Sequence, residues 1–292
     1  MQQLITGIQQ IGIGVTDIDE AWPWYRKFFG TDVPVFDDEA HAELMSRYTG
    51  GDVHSRRAVL ALNMSGGGGF EIWQFKSRTP EPRDFELKLG DLGINAVKIK
   101  CKNVEKAQKD FSSLGNEILT PLHTLPNGEH SFWTKDPYGN LFQAVKGDSW
   151  FQNGTHCTGG VCGAIIGVSN IDSVLPLYTM ALGFNHIIYD QTGHFEDLDE
   201  NHEFRRVLLR KNQKDEGAFS RLFGHIDIEL MDRTTQRPAT DTYTSTRRTT
   251  SSFHSTGMGP ATTTRGVPRY PRRSTTTCRA SIQICRCPTI AS

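Results

Sequence analysis

One stretch constrains this chain more than any other: residues 11–30, IGIGVTDIDEAWPWYRKFFG, whose shape occurs three times. Its start alternates small and β-branched residues, which is strand chemistry. Asp17 stops the strand, and Asp17 or Asp19 can cap a helix by accepting a bond from a free backbone N–H. Ala21, Trp24, Tyr25 and Phe28 then recur at the spacing of one apolar helix face. Gly30 suits the left-handed position just past a helix end. The same unit of strand, cap, short helix and glycine returns at residues 97–115 and 164–184. The units start near residues 10, 96 and 163. That spacing is too uneven for a solenoid and fits modules of one topology with different loops.

Further strands follow each unit. In the first module, residues 32–36, 57–64 and 70–75 read as strands, giving the order βαβββ. The four glycines at 66–69 make a flexible hairpin loop, because no Lys-Ser/Thr pair follows and the next element is a strand, not a helix. In the second module a strand over 96–101 and a helix over 104–114 precede a strand over 116–122 and two more around the turn at 136–140. The third module reads as strand 162–168, helix 171–182 and strands 185–190, 204–209 and 226–230. Pro176 lies deep enough in that helix to kink it or delay its start, whereas Pro23 is near the start of its own. The expected fold class is α+β, built from repeated βαβββ modules. Modules 7–75 and 93–147 fill one domain over residues 1–150; module 161–231 is half of a second.

The chain has 292 residues, enough for two ordinary domains. Its net charge of −1 points to no nucleic-acid or membrane partner. That average hides a basic tail. Residues 233–292 hold sixteen Thr, ten Arg and one Asp, with no Leu, Lys, Glu, Asn or Trp, a balance of +9 against −10 for the rest. A segment without Leu cannot build a βαβββ core. The tail is therefore expected to be disordered, either as a natural basic tail or as the product of a reading-frame shift near residue 232 that removed a fourth module. An RNA-binding arm would need an aromatic or RGG rhythm that it lacks. The six cysteines have no paired zinc spacing and read as inert thiols. No secretory signal heads the chain, and no apolar run reaches the ~18–20 residues of a membrane helix. The expected location is the cytoplasm.

The segments GIGVTDIDEAWPWYRKFFG, FEIWQF, KDPYGNLFQAV and GHIDIELM, spread over roughly residues 7–231, resemble the vicinal-oxygen-chelate superfamily of glyoxalase I, bleomycin-resistance proteins and extradiol dioxygenases. The resemblance implies the glyoxalase fold, in which two βαβββ modules pair into a half-open mixed β-barrel around a cavity. It also implies one divalent metal, Zn, Ni, Mn or Fe, held from the first and last strand of each module. Seven residues before the strand-ending Asp17, Asn103 and Asn170 stand Gln10, Ala96 and Gly163; on the last strands stand Glu71, Gln143 and Glu229. Gln10 and Glu71 resemble half of the glyoxalase I metal site. The second module departs, with Ala96 and Gln143 where His and Glu are expected, and the third has Gly163 in place of His. The metal candidates are Gln10, Glu71 and Glu229, and Glu71 is also the candidate catalytic base. In the first domain one carboxylate and at most two amides carry too little charge to hold a hard cation tightly on their own.

Plainer readings stand beside these. Glu71 shares a strand face with Trp73 and Phe75 by alternation, and can be an ordinary strand residue at the wet edge of an interface. Glu229 belongs to a cavity that looks unfinished. His123, His130 and His225 are scattered, and core packing accounts for Trp22, Trp24, Tyr25, Phe28 and Phe29. Three functions follow, all binding a small molecule in the barrel without nucleic acid or membrane. One is a glyoxalase-like lyase or isomerase, in which a metal polarises a carbonyl or diol and Glu71 takes a proton. Another is a metal-free binding protein in the style of bleomycin resistance. The last is a dioxygenase-like protein that has lost its C-terminal metal site. An unpartnered third module would turn Ile165, Val207 and Leu209 to water, so a homo-oligomer is expected.

Overall fold

The computed structural model describes residues 4–80, 85–211, 217, 219–233 and 281–287. The first module contains β1 (Leu4–Gly14), α1 (Ile18–Phe29), β2 (Val33–His41), β3 (Ser55–Leu62) and β4 (Gly69–Phe75). The second contains β5 (Gly93–Cys101), α2 (Val104–Ser113), β6 (His123–Thr124), β7 (His130–Lys135) and β8 (Leu141–Lys146). The third contains β9 (Thr158–Gly167), α3 (Ile171–Pro176), β10 (His186–Gly193), β11 (Phe204–Arg210), α4 (Ser220–Phe223) and β12 (Asp227–Arg233).

The recurring cap works as the sequence implies. The Asp17 carboxylate accepts from the Asp19 N–H at 2.8 Å, Asn103 from Lys106 at 2.6 Å and Asn170 from Ser173 at 2.8 Å. Gly30 ends α1 at φ 59°, where a side chain would be strained, and its N–H returns to the Arg26 carbonyl. Pro176 ends α3, after which the backbone widens into a π turn over Leu177–Ala181. Proline brings no N–H to the helical ladder, so the regular helix does not continue through it.

The strands form two mixed sheets. One has five strands in the order β13-β1-β4-β3-β2, with β13 spanning Ser281–Cys287; the other has eight, in the order β10-β11-β12-β9-β5-β8-β7-β6. The second module is thus joined to the third, not to the first as the sequence suggests. The joint is antiparallel β5–β9, with Ile94 opposite Ile166 and Val97 opposite Ala164. Both strands are buried almost along their length, as strands at the centre of a covered sheet must be. This joint also corrects the expected orphan face: Ile165, Val207 and Leu209 are all buried. In the tail, β13 pairs antiparallel with β1, an element that composition alone conceals. It covers a hydrogen-bonding edge that would otherwise be free to pair with another chain. The rest of the expected tail disorder concerns residues 234–280 and 288–292, outside the described residues.

Helix α1 packs between the two sheets. Tyr25 meets Phe70 of β4 at 4.9 Å between ring centroids, and Phe29 meets Phe142 of β8 at 4.8 Å. Phe28 packs on Phe111 of α2 at 5.4 Å, so α1, α2 and both sheets share one aromatic layer. One polar contact crosses this layer: Tyr25 Oη donates to Asp136 Oδ2 at 2.6 Å. Asp136 also accepts from the N–H groups of Tyr138 and Asn140 and from the Asn140 amide, which fixes the β7–β8 turn. Burial pushes the Tyr25 hydroxyl well above its ordinary range, so it stays a donor. Tyr25→Phe should cost about 1.5–3 kcal/mol in urea unfolding, the range for a buried hydrogen bond to a charged group. An unchanged midpoint would show that the contact does not couple the modules.

Candidate functional site

Alternation along β4 sends Ile72 into the shared core and Glu71, Trp73 and Phe75 to the helix-free face of the five-stranded sheet. The register places Gly12 of β1 opposite Glu71 and Gly14 opposite Trp73, so no side chain stands directly opposite either on β1. The Gln10 amide donates to Glu71 Oε2, which brings together two of the three residues singled out from the sequence. Across the same face, Arg56 is paired with Asp38 at 2.7 Å. Burial raises the Glu71 carboxyl above its ordinary value, while Arg56 and the Gln10 bond pull it down. Trp73 and Phe75 stack edge to face beside it, 4.4 Å apart.

The equivalent face of the eight-stranded sheet is filled. Where the first module has Gly12 opposite Glu71, the second has Lys98 opposite Gln143. Lys98 Nζ lies 2.6 Å from Gln143 Oε1 and 2.7 Å from Glu229 Oε2. The other Glu229 oxygen accepts from Arg206 Nε at 2.6 Å. Arg206 Nη1 donates to Asp197 Oδ1 at 2.8 Å, and Asp197 Oδ2 accepts from Trp133 Nε1 at 3.1 Å with His123 Nε2 at 3.3 Å. Lys98, Gln143, Arg206 and Glu229 are at most 1% exposed. Glu229, the third candidate, is thus apart from Gln10 and Glu71 and committed to two cations. Burial alone would raise its carboxyl, but Arg206 and Lys98 hold it down to about 2. Gly163 carries no ligand because a Cβ there would run into the Asp227 backbone carbonyl and the Lys98 stem.

Lys98, Trp133, Asp197 and Arg206 escape a reading of the sequence, and His123 passes there as incidental. A signal exists in VKIKC, where Lys98 and Lys100 alternate with Val97 and Ile99 in a strand that must be buried. Lysine is almost never buried unless paired, so such a pattern asks for a partner carboxylate. Cys101, Cys157 and Cys162 are free; burial drives the Cys162 thiol to about 12, and Cys101 also rises, which makes both inert. A surface pocket of about 420 Å³ lies away from both faces, between Lys27 and Phe28 on one side and Asp110 and Cys157 on the other.

The model of the Glyoxalase/Bleomycin resistance protein/Dioxygenase superfamily matches residues 7–144. That span belongs to this superfamily. Similar solved structures include glyoxalase I from Zea mays, at 13% identity and TM-score 0.48 over 78% of this chain and 67% of that one. They also include a putative dioxygenase from Bacillus subtilis subsp. subtilis str. 168, at 16% identity and TM-score 0.49 over 80% and 65% of the two chains. A glyoxalase family protein from Bacillus cereus is 13% identical, with TM-score 0.42, over 49% of this chain and 95% of its own. No curated protein matches the chain significantly in sequence.

The donor sets do not fit the divalent metal that the superfamily resemblance implies. On the first sheet the set is one amide and one carboxylate, with the Arg56 cation close by. On the second, an ammonium already sits between the amide and the carboxylate. Among the described residues no three of His, Cys, Asp and Glu are grouped to hold an ion, and no helix is long and apolar enough to cross a membrane.

The ion network makes acid stability testable. The folded value of Glu229 lies near 2, below the ordinary 4.5. Its stabilisation is therefore present above about pH 4.5 and lost as pH falls toward 2. Glu229→Gln should cost about 3–5 kcal/mol at pH 7, because Lys98 and Arg206 lose a buried partner. In urea unfolding at pH 7 and at pH 3, the gap between wild type and variant should shrink at the lower pH. A gap independent of pH would place the stabilisation elsewhere.

Proposed function

We propose that this superfamily member is a metal-independent small-molecule-binding protein whose ligand docks on the helix-free face of the first sheet. The observation that carries this reading is Lys98. Its ammonium, held by Glu229 and Gln143, supplies internally the positive charge that a metal would bring to the second sheet. The part-exposed polar cluster is then the one around Glu71 on the first sheet. There a carboxylate oriented by Gln10 lies beside the Trp73 and Phe75 rings, with glycines directly opposite Glu71 and Trp73 on β1. This combination suits a flat, largely apolar ligand that carries an N–H or O–H donor. The glyoxalase-like and dioxygenase-like readings have less support, because each needs an ion and the donors are few. One observation favours chemistry over binding alone: the raised carboxyl of Glu71 is what a general base requires.

Phenol and aniline, titrated into metal-free protein and followed by tryptophan fluorescence, test the reading. Both should bind saturably. Glu71→Gln should weaken binding about tenfold, the worth of one hydrogen bond to a charged group, with little change in melting temperature. Affinity in the wild type should rise with pH through a midpoint above the ordinary glutamate value of 4.5, as the carboxylate forms. Equal affinity in the variant, flat with pH, would remove Glu71 from the site.

A further inference from the structure

One of the two carboxylates of the buried network, Asp197, reaches it in an unusual way. Lys98, Gln143, Arg206 and Glu229 stand on sheet strands, but Asp197 comes from the loop of residues 194–203 between β10 and β11. The backbone bonds of that loop close on itself, Leu198 N–H to the Phe195 carbonyl and His202 N–H to the Asp199 carbonyl. Side chains fasten it to the sheet. The Phe195 ring lies 4.9 Å from the Arg206 guanidinium, and Phe195 and Leu198 pack against the cluster of Ala96, Trp133, Ile165, Phe204 and Met231.

The groups that receive Asp197 come from three strands, and each has an anchor outside the loop. Arg206 on β11 is fixed by Glu229, Trp133 lies in β7, and His123 on β6 has its Nδ1 3.3 Å from the Pro121 carbonyl. Together they place a guanidinium N–H, an indole N–H and an imidazole nitrogen around one carboxylate whose side chain is 3% exposed. Arginine forks and indole N–H groups are the usual recognition chemistry for a carboxylate. Without Asp197, the charges of Lys98, Arg206 and Glu229 leave one positive charge in excess, so the site demands an anion. Two further donors in the network, Arg206 Nη2 and Gln143 Nε2, are buried and meet no hydrogen-bond acceptor among the described residues. They are available to further oxygens of a ligand larger than an aspartate side chain.

We propose that the helix-free face of the eight-stranded sheet is a binding site for a small carboxylate, built by Arg206, Trp133 and His123, which the chain's own Asp197 occupies while the β10–β11 loop is closed. A free carboxylate and Asp197 compete for the same three groups, so ligand entry and loop opening are one event. This site lies on the other sheet from Glu71, and neither proposal rests on the other.

Asp197→Ala removes the internal carboxylate and leaves its receptors in place. Sodium acetate should then raise the melting temperature of the variant saturably, by about 5 °C near saturation, beyond any effect of sodium chloride at equal ionic strength. Wild type, with the site already filled, should show no difference between the two salts. A variant that responds equally to acetate and chloride, or a wild type that gains as much as the variant, overturns the proposal. If Asp197→Ala does not fold, Phe195→Ala supplies a second readout, because it keeps the carboxylate and removes the ring over Arg206. Acetate should then speed proteolytic cleavage within residues 194–203 to a plateau; a rate independent of acetate overturns the proposal as well.

Discussion

The second sheet depends on the ammonium of Lys98, because it lets a buried carboxylate exist at the joint of two modules. Glu229 reaches this point from the third module, and Lys98 and Gln143 from the second. An isolated carboxylate in that interior would cost several kcal/mol. With Lys98 and Arg206 around it, Glu229 stays ionised, and the β5–β9 joint carries an ion pair as well as a hydrogen-bonded ladder. The packing of Gly163 follows from the same arrangement, since the Lys98 stem fills the space its side chain would need.

The two helix-free faces show how one topology can be used in two ways. Equivalent register positions hold Gly12 in the first module and Lys98 in the second. A glycine leaves the neighbouring glutamate part-exposed and raised toward the range of a base. A lysine turns the equivalent place into a closed charge network. Between the faces, the aromatic layer of α1 and α2 and the Tyr25–Asp136 bond hold the sheets in fixed relation. At the outer edge of β1, β13 takes the place that β9 takes beside β5.

Much of this was legible in the sequence. The Asp17, Asn103 and Asn170 caps and the βαβββ order of the modules depend on local chemistry and on alternation, which a single sequence displays, whereas Gln10 and Glu71 were brought together by the superfamily resemblance. The joining of the second module to the third was not legible, because modules of one topology offer the same apolar edge and only the folded chain chooses among them. The Lys98–Glu229–Arg206–Asp197 network was hidden for a related reason: its members are 131 residues apart in the case of Lys98 and Glu229, and a charged residue announces its partner only through space. The strand at Ser281–Cys287 was concealed by the Thr and Arg around it.

The claim that the second sheet replaces a metal with Lys98 is tested most directly by metal content and stability together. Protein purified without chelators, measured for Zn, Ni, Mn and Fe, then stripped and melted with and without each ion, should contain well under one equivalent of metal. Its melting temperature should be the same in every case. One equivalent of a tightly held ion, with a melting temperature that falls on stripping and recovers on its return, would contradict the account.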